Sequence, residues 1–183
     1  MKLTQSHRLE GYLDRLFGFA VSLAGDRDEA RDLVQDCAVR ALTAKRVPAD
    51  EPAYRAWLFR VLRNRFIDRL RRDRRRPEVG GLDCDEDGQP RALGQVVAWR
   101  GDQHLINALT VKLAMQRLSV REREIIALID VAGLTYGEAA EVLAVPVGTV
   151  MSRISRARQA LFVIVNESNI RALPKRASKG SGL

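Results

Sequence analysis

Apolar residues recur along this chain at the spacing of helices and not with the alternation of strands. Over residues 6–24, Leu9, Leu13, Leu16, Ala20 and Leu23 fall on one side of a helix, and Gly25 stands where it would stop. Asp26 and Glu29 form a D-x-x-E start similar to a capping box. The helix behind it places Ala30, Leu33, Val34, Cys37, Ala38, Ala41 and Leu42 on one continuous stripe. A loop with Pro48 and Pro52 leads to a third helix, 53–73, whose broad apolar face is Leu58, Phe59, Leu62, Phe66 and Leu70.

The pattern then restarts. A helix over 103–117 precedes Ser119-x-x-Glu122, a capping box that opens a helix to about residue 131, and Gly133 closes it. Thr135-x-x-Glu138 caps a short helix through residue 143. The turn Ala144-Val145-Pro146 introduces a last helix, 147–165. A short helix, a tight turn and a longer helix make a helix-turn-helix. The expected fold class is all-α: two small helical domains joined by a flexible acidic linker, the second a helix-turn-helix.

Charge sharpens this division. Residues 55–76 hold ten arginines against Asp68 and Asp73, whereas 77–106 hold six acids against Arg91 and Arg100. The acidic stretch also carries Gly80, Gly81, Gly88, Pro90, Gly94 and Gly101, the composition of a linker. Expected boundaries are a first domain at 1–76, a linker at 77–102, a second domain at 103–167, and a basic tail at 168–183 without fixed structure. The net charge of +8 favours a polyanionic partner, nucleic acid or an anionic membrane. No apolar run approaches 18 residues, so membrane insertion is not expected, and the polar N-terminus lacks a signal-peptide core. Cys37 and Cys84 have no C-x-x-C spacing, which excludes a zinc site or disulfide framework and points to reduced cytoplasmic thiols. With only His7 and His104, and no acidic cluster in a basic cleft pattern, metal-dependent hydrolysis of nucleic acid lacks its ligands. No catalytic residue, metal or cofactor is expected, and the chain reads as a non-enzyme.

The last helix divides sharply on a helical wheel. Val147, Val150, Ile154, Ala157 and Leu161 fall on the packing side; Thr149, Ser152, Arg153, Arg156 and Gln159 fall on the other, with no acid among them. Arginine forks, short hydroxyls and an amide suit the edges and phosphates of the DNA major groove, and a merely solvated helix usually mixes signs. Arg158 points nearer the packed side, as a phosphate clamp or an internal ion pair. On the third helix, Arg60, Asn64, Asp68 and Arg71 share a polar face beside Trp57 and Val61. Mixed donors and acceptors beside a ring suit unstacked bases, although Trp57 fits a core position equally well. Arg71, Arg72, Arg74 and Arg75 end that helix in a phosphate-binding patch. Asp32, Gln35 and Asp36 form a polar face on the second helix; they either solvate a surface or dock a basic protein.

Five motifs in order decide between these. Asp-Glu-Ala-Arg-Asp-Leu-Val-Gln-Asp (28–36), Ala-Trp-Leu-Phe-Arg-Val-Leu-Arg-Asn (56–64) and Leu-Ser-Val-Arg-Glu-Arg-Glu (118–124) lie in the first two-thirds of the chain. Gly-Leu-Thr-Tyr-Gly-Glu-Ala-Ala-Glu-Val-Leu (133–143) and Gly-Thr-Val-Met-Ser-Arg-Ile-Ser-Arg-Ala-Arg (148–158) follow. Together they resemble an extracytoplasmic-function sigma factor of the sigma-70 family, over residues 12–161 apart from the linker. The resemblance implies that 1–76 corresponds to region 2 and 103–167 to region 4. It implies that Asp32, Gln35 and Asp36 grip the β′ coiled coil of core RNA polymerase. It assigns Trp57, Arg60, Asn64, Asp68, Arg71, Arg72, Arg74 and Arg75, with the loop 44–52, to the −10 promoter element. Thr149, Ser152, Arg153, Arg156 and Gln159 would read the −35 element. Further implied are a contact with the polymerase β flap, promoter DNA as ligand, an anti-sigma partner, and a role in a stress or envelope response. A free monomer in the cytoplasm, nucleoid-associated when active, completes the expectation. Pro146 departs from many relatives, which carry a small capping residue there, and bears on the register of the reading helix. The rival reading is a stand-alone helix-turn-helix regulator of the LuxR type, which shares the motifs within 118–161 but would not account for the first module.

Overall fold

The computed structural model of the chain describes residues 2–73 and 103–171. The linker, Arg74, Arg75, Cys84 and the tail beyond residue 171 lie outside the described residues. Among the described residues the architecture is all-helical: α1 (Lys2–Glu10), α2 (Leu13–Ala24), α3 (Arg27–Thr43), α4 (Glu51–Asp73), α5 (Gln103–Arg117), α6 (Val120–Ile126), α7 (Tyr136–Leu143) and α8 (Val147–Arg171). A π-helical turn, Ala127–Val131, continues α6, and the Ala132 amide closes it on the Ala127 carbonyl at 2.8 Å.

The single helix expected over 6–24 is two helices, broken at Gly11–Tyr12. The break rotates the stripe. Leu13, expected inside, is 36% exposed, whereas Tyr12 and Phe19 are buried. Leu42 and Val147, also expected in apolar faces, are largely exposed, because each lies at a helix end beyond the reach of its neighbours. Gly25 does end α2: it adopts a left-handed φ of 76° and its amide bonds to the Val21 carbonyl. Asp26 then caps α3 by accepting from the Asp28 and Glu29 amides, at 2.8 and 2.9 Å. The reciprocal half of that box is replaced by an ion pair of Glu29 with Arg69, at 3.4 Å.

Helix α4 starts two residues before its expected position, because Asp50 caps it through the Ala53 amide at 2.9 Å. Pro52 is tolerated there because an amide of the first turn needs no intrahelical partner. Both expected capping boxes of the second module form, at Ser119 with Glu122 and at Thr135 with Glu138. Helix α8 begins at Val147 as expected and runs to Arg171, past the expected end. Pro146 contributes its carbonyl, which receives the Thr149 and Val150 amides.

In the first module α3 packs on α2 and α4, burying Leu33, Cys37, Leu58, Phe59 and Leu62. Phe19 and Phe59 meet edge-on at 5.4 Å, a geometry that adds about 0.5–1.5 kcal/mol to the burial of their area. Desolvation pushes the Cys37 thiol up to about 12, so it behaves as a small apolar core residue. In the second module α5, α6 and α7 pack on α8 around Val150, Ile154 and Ala157.

The two modules also pack on each other, a contact that helical periodicity does not reveal. Helix α4 lies against α7, and α2 lies against α6 and the π turn, so buried residues of both modules form one continuous apolar cluster. Arginines span this contact. Arg15 donates to the Ala132 carbonyl at 2.8 Å and Arg123 to the Leu23 carbonyl at 3.2 Å. Arg55 pairs with Glu138 and Arg63 with Glu124, each through an Nε–Oε1 distance of 2.7 Å.

Candidate nucleic-acid interface

Helix α8 holds its polar residues in the arrangement expected of a reading helix. Val150, Ile154 and Ala157 are buried, which turns Ser152, Arg156 and Gln159 fully to solvent and leaves Thr149 and Arg153 half-buried at the rim. Ser152 donates to the Thr149 carbonyl at 3.0 Å, and the Arg156 guanidinium lies back along the helix, 3.2 Å from the Ser152 carbonyl. These are weak local tethers, and a stronger acceptor such as a phosphate or guanine edge can displace them. Arg158 takes the internal role: two of its guanidinium nitrogens, Nη2 and Nε, donate to Asp130, at 2.6 and 3.1 Å. No acid interrupts α8 before Glu167.

The turn that aims α8 is tight. Ala144 closes α7 in the left-handed region at φ 53°, its amide bonded to the Ala140 carbonyl. Such a conformation costs a residue with a Cβ roughly 1–2 kcal/mol.

The polar face of α4 opens onto a groove of about 780 Å³, walled on the far side by the C-terminal half of α3 and the loop that follows. Arg60, Asn64 and Asp68 line it from α4, with Arg40, Thr43 and Arg46 opposite. Trp57 forms part of the floor. It is half-buried, one face stacked on Tyr54 with ring centroids 5.8 Å apart, so it is both a packed residue and a groove residue. Tyr54 is in turn fully buried, with the Arg8 guanidinium 3.9 Å from its ring centroid. Asp68 lies 3.9 Å from Arg71, consistent with a carboxylate that steadies a neighbouring arginine. Arg72 is exposed, its Nε 3.4 Å from the Asp68 carbonyl. Arg46 lies in the loop 44–52 that the sequence already pointed to, whereas Arg40 lies outside the residues it singled out. Arg40 stands one turn beyond Asp36 on the same polar face, a spacing that could have shown it.

Asp32, Gln35 and Asp36 are all exposed on α3, as a docking face requires. Asp32 and Asp36 look into a second cleft, of about 570 Å³, whose other wall is Arg65, Arg69 and Arg72 of α4. Asp36 lines both grooves. The acidic face is therefore one wall of a mixed-charge cleft, and it adjoins the larger α3–α4 groove directly.

Among the described residues no cluster of His, Cys, Asp and Glu could hold a metal ion, and no helix is long and apolar enough to cross a membrane.

Known proteins resemble this chain along both modules. Residues 9–76 match the family model for sigma-70 region 2, and residues 108–161 match that for sigma-70 region 4. The chain is 32% identical over 169 residues to the ECF RNA polymerase sigma factor EcfG of Rhodopseudomonas palustris, covering 90% of this chain and 88% of the relative. It is 32% identical over 157 residues to the ECF RNA polymerase sigma factor SigL of Mycobacterium tuberculosis, covering 85% of each. Among solved structures, the sigma factor RpoE of Bartonella quintana, in complex with the anti-sigma factor NepR, superposes with a TM-score of 0.66 at 31% identity. That superposition covers 87% of this chain and 95% of the other. CnrH, in complex with the cytosolic domain of CnrY, superposes at 0.56 with 26% identity, over 86% of this chain and 83% of the other. A stand-alone regulator of the LuxR type does not account for the region 2 match. Two family models in order, near-full-length relatives and a shared fold establish that the chain belongs to the sigma-70 family, as an ECF RNA polymerase sigma factor.

Proposed function

We propose that this chain selects promoters for core RNA polymerase by dividing the work between α8 and the α3–α4 groove, with no bond chemistry of its own. The observation that carries the reading is the contrast within one chain between an acid-free, solvent-facing helix and a groove of mixed donors and acceptors floored by an aromatic ring. Thr149, Ser152, Arg153, Arg156 and Gln159 read duplex DNA at the −35 element. Trp57, Arg60, Asn64, Asp68 and Arg71 hold unpaired bases of the −10 element, while Arg72, Arg74 and Arg75 hold phosphates. Arg40, Thr43 and Arg46 join them from the opposite wall. Asp32, Gln35 and Asp36 dock on the polymerase β′ coiled coil, and the second module meets the β flap.

The energetics fit. Opening a base-pair step costs roughly 1.4 kcal/mol, and stacking a base on a protein ring returns about 1–3 kcal/mol. A groove of this size can therefore hold a few captured bases open. The protein acts in the cytoplasm, at the nucleoid when bound to promoters. An anti-sigma factor is its regulator, a reading supported by the two structural relatives, both described in complex with other proteins. Run-off transcription with core polymerase on a pool of genomic fragments tests the function. Discrete, promoter-initiated transcripts that require this chain are expected; their absence, with DNA binding that needs no polymerase, would overturn it.

A further inference from the structure

Helix α1 adds little to the apolar core: among its described side chains only Leu9 is buried. Gln5 and Arg8 turn instead to the start of the next connection, the segment 44–50, which joins α3 to α4 and walls the α3–α4 groove through Ala44 and Arg46. Gln5 donates to the Ala41 carbonyl, one of the last four of α3, which have no partner within the helix. Arg8 reaches farther. Its Nε donates to Glu51 at 2.7 Å, and its two terminal nitrogens donate to the Pro48 and Asp50 carbonyls, each at 3.0 Å. The same guanidinium lies 3.9 Å from the centroid of the Tyr54 ring, which stacks on Trp57 of the groove floor. Tyr12 completes the cluster by donating its hydroxyl to the other Glu51 oxygen.

These contacts matter because the segment does not hold itself. Among residues 44–49 no backbone group bonds to another. Val47 packs against the core, and the Asp50 side chain caps α4 through the Ala53 amide at 2.9 Å. The Pro48 and Asp50 carbonyls are held from α1, by one planar fork. An isolated ion pair would add little here, since the Glu51 side chain is 56% exposed. Arg8 does more, because its side chain is only 22% exposed and one rigid group meets three acceptors and a ring. The Tyr12 hydroxyl and the Arg8 guanidinium hold the Glu51 carboxyl below its ordinary range, so the acceptor at the centre of the cluster stays charged.

We propose that Arg8, backed by Tyr12 and Glu51, is a positioning residue for −10 selection: from α1 it fixes the 44–50 wall of the groove, and so sets which exposed base the groove accepts, without touching DNA. The proposal rests on the promoter reading above. A wall already in place needs little further ordering when a base enters, so a base of the right shape and edge is favoured over the others. With the fork removed, the wall adapts to whichever base enters, and discrimination falls before binding does.

Holoenzyme assembled from core polymerase and the full chain tests this, on promoters pre-melted at −10 that carry each of the four bases at each −10 position in turn. A preferred base is expected to bind roughly 5- to 150-fold more tightly than the others at its position. Arg8→Ala should lower that ratio by about threefold or more at one or two positions. Retention on core polymerase, binding to the −35 duplex and far-UV circular dichroism should stay at the wild-type level; a merely structural residue would lower all of them together. An Arg8→Ala holoenzyme with the wild-type −10 profile would overturn the positioning role, and so would one whose discrimination falls only in step with core binding. Should Arg8→Ala lose helicity, Glu51→Ala, a change at a largely exposed side chain, is read in the same way: a flattened profile supports the role and an unchanged one overturns it. Asn64→Ala separates this proposal from the reading beneath it. If Asn64→Ala flattens the −10 profile and Arg8→Ala does not, the positioning role alone falls; if neither does, the −10 reading of the groove falls with it.

Discussion

Helix α8 turns Ser152, Arg156 and Gln159 to solvent with no acid before Glu167, whereas α4 sets Asp68 beside Arg71 and ties Arg55, Arg63 and Arg69 to carboxylates. Both are long helices rich in arginine, yet the charge is spent differently. An uncompensated cationic face is drawn to duplex DNA, where phosphates are dense and groove edges offer acceptors. A compensated face holds its arginines in fixed places, which suits a groove that must discriminate among exposed bases. The pairing around a helix therefore says more about its nucleic-acid partner than its net charge does.

The largest effect is expected where α3 carries acids rather than arginines. Asp32→Arg with Asp36→Arg should weaken binding to core polymerase by roughly 30-fold or more, the scale of losing about 2–5 kcal/mol of paired charge. The same variant should keep wild-type helicity, because both side chains are exposed. Pull-down on immobilised core polymerase checks it, and wild-type retention would remove the acids from the docking face.

Next come the two kinds of arginine. Arg153→Ala or Arg156→Ala should cost about 1–3 kcal/mol and relax preference at one −35 position. Arg72→Ala should weaken all promoters alike and lower the salt slope by about one. Binding of the holoenzyme to a set of −35 variants, across a salt series, separates them. A uniform response from all three would mean that α8 is held by phosphates alone.

Much of this was legible in the sequence because it is local. Asp26, Ser119 and Thr135 announced their helices, since a cap is satisfied within three residues. The wheel angle of Arg158 sets it nearer the packed side, as a phosphate clamp or an ion pair, and it pairs with Asp130. The break at Gly11–Tyr12 was hidden because the apolar spacing continues across it, and it is set by Tyr12, whose hydroxyl donates to Glu51 of α4. The contact between the modules was hidden for a stronger reason. Glu124 and Glu138 read as ordinary members of helix starts, and their arginine partners lie 61 and 83 residues away. Periodicity reports which face is apolar, and it does not say which distant charge a polar residue will meet.

The smallest effect sharpens the aim of α8. Ala144→Gly removes the cost of a left-handed alanine, offset by the greater freedom of glycine in the unfolded chain, for a net gain of about 0.5–1 kcal/mol. The melting temperature should rise by about 1–4 °C in calorimetry. A fall would mean that this turn does not govern the entry of α8.

The division of labour between α4 and α8 is tested most directly by measuring transcription from two versions of one promoter, one fully paired and one pre-melted by mismatches at −10. Asn64→Ala should lose most of its activity on the paired template and recover it on the pre-melted one, because the role proposed for Asn64 is to hold bases once opened. Arg153→Ala should lose activity on both, because the −35 duplex is unchanged between them. Equal losses for Asn64→Ala on the two templates would contradict the account, and would make α4 a duplex-binding helix like α8.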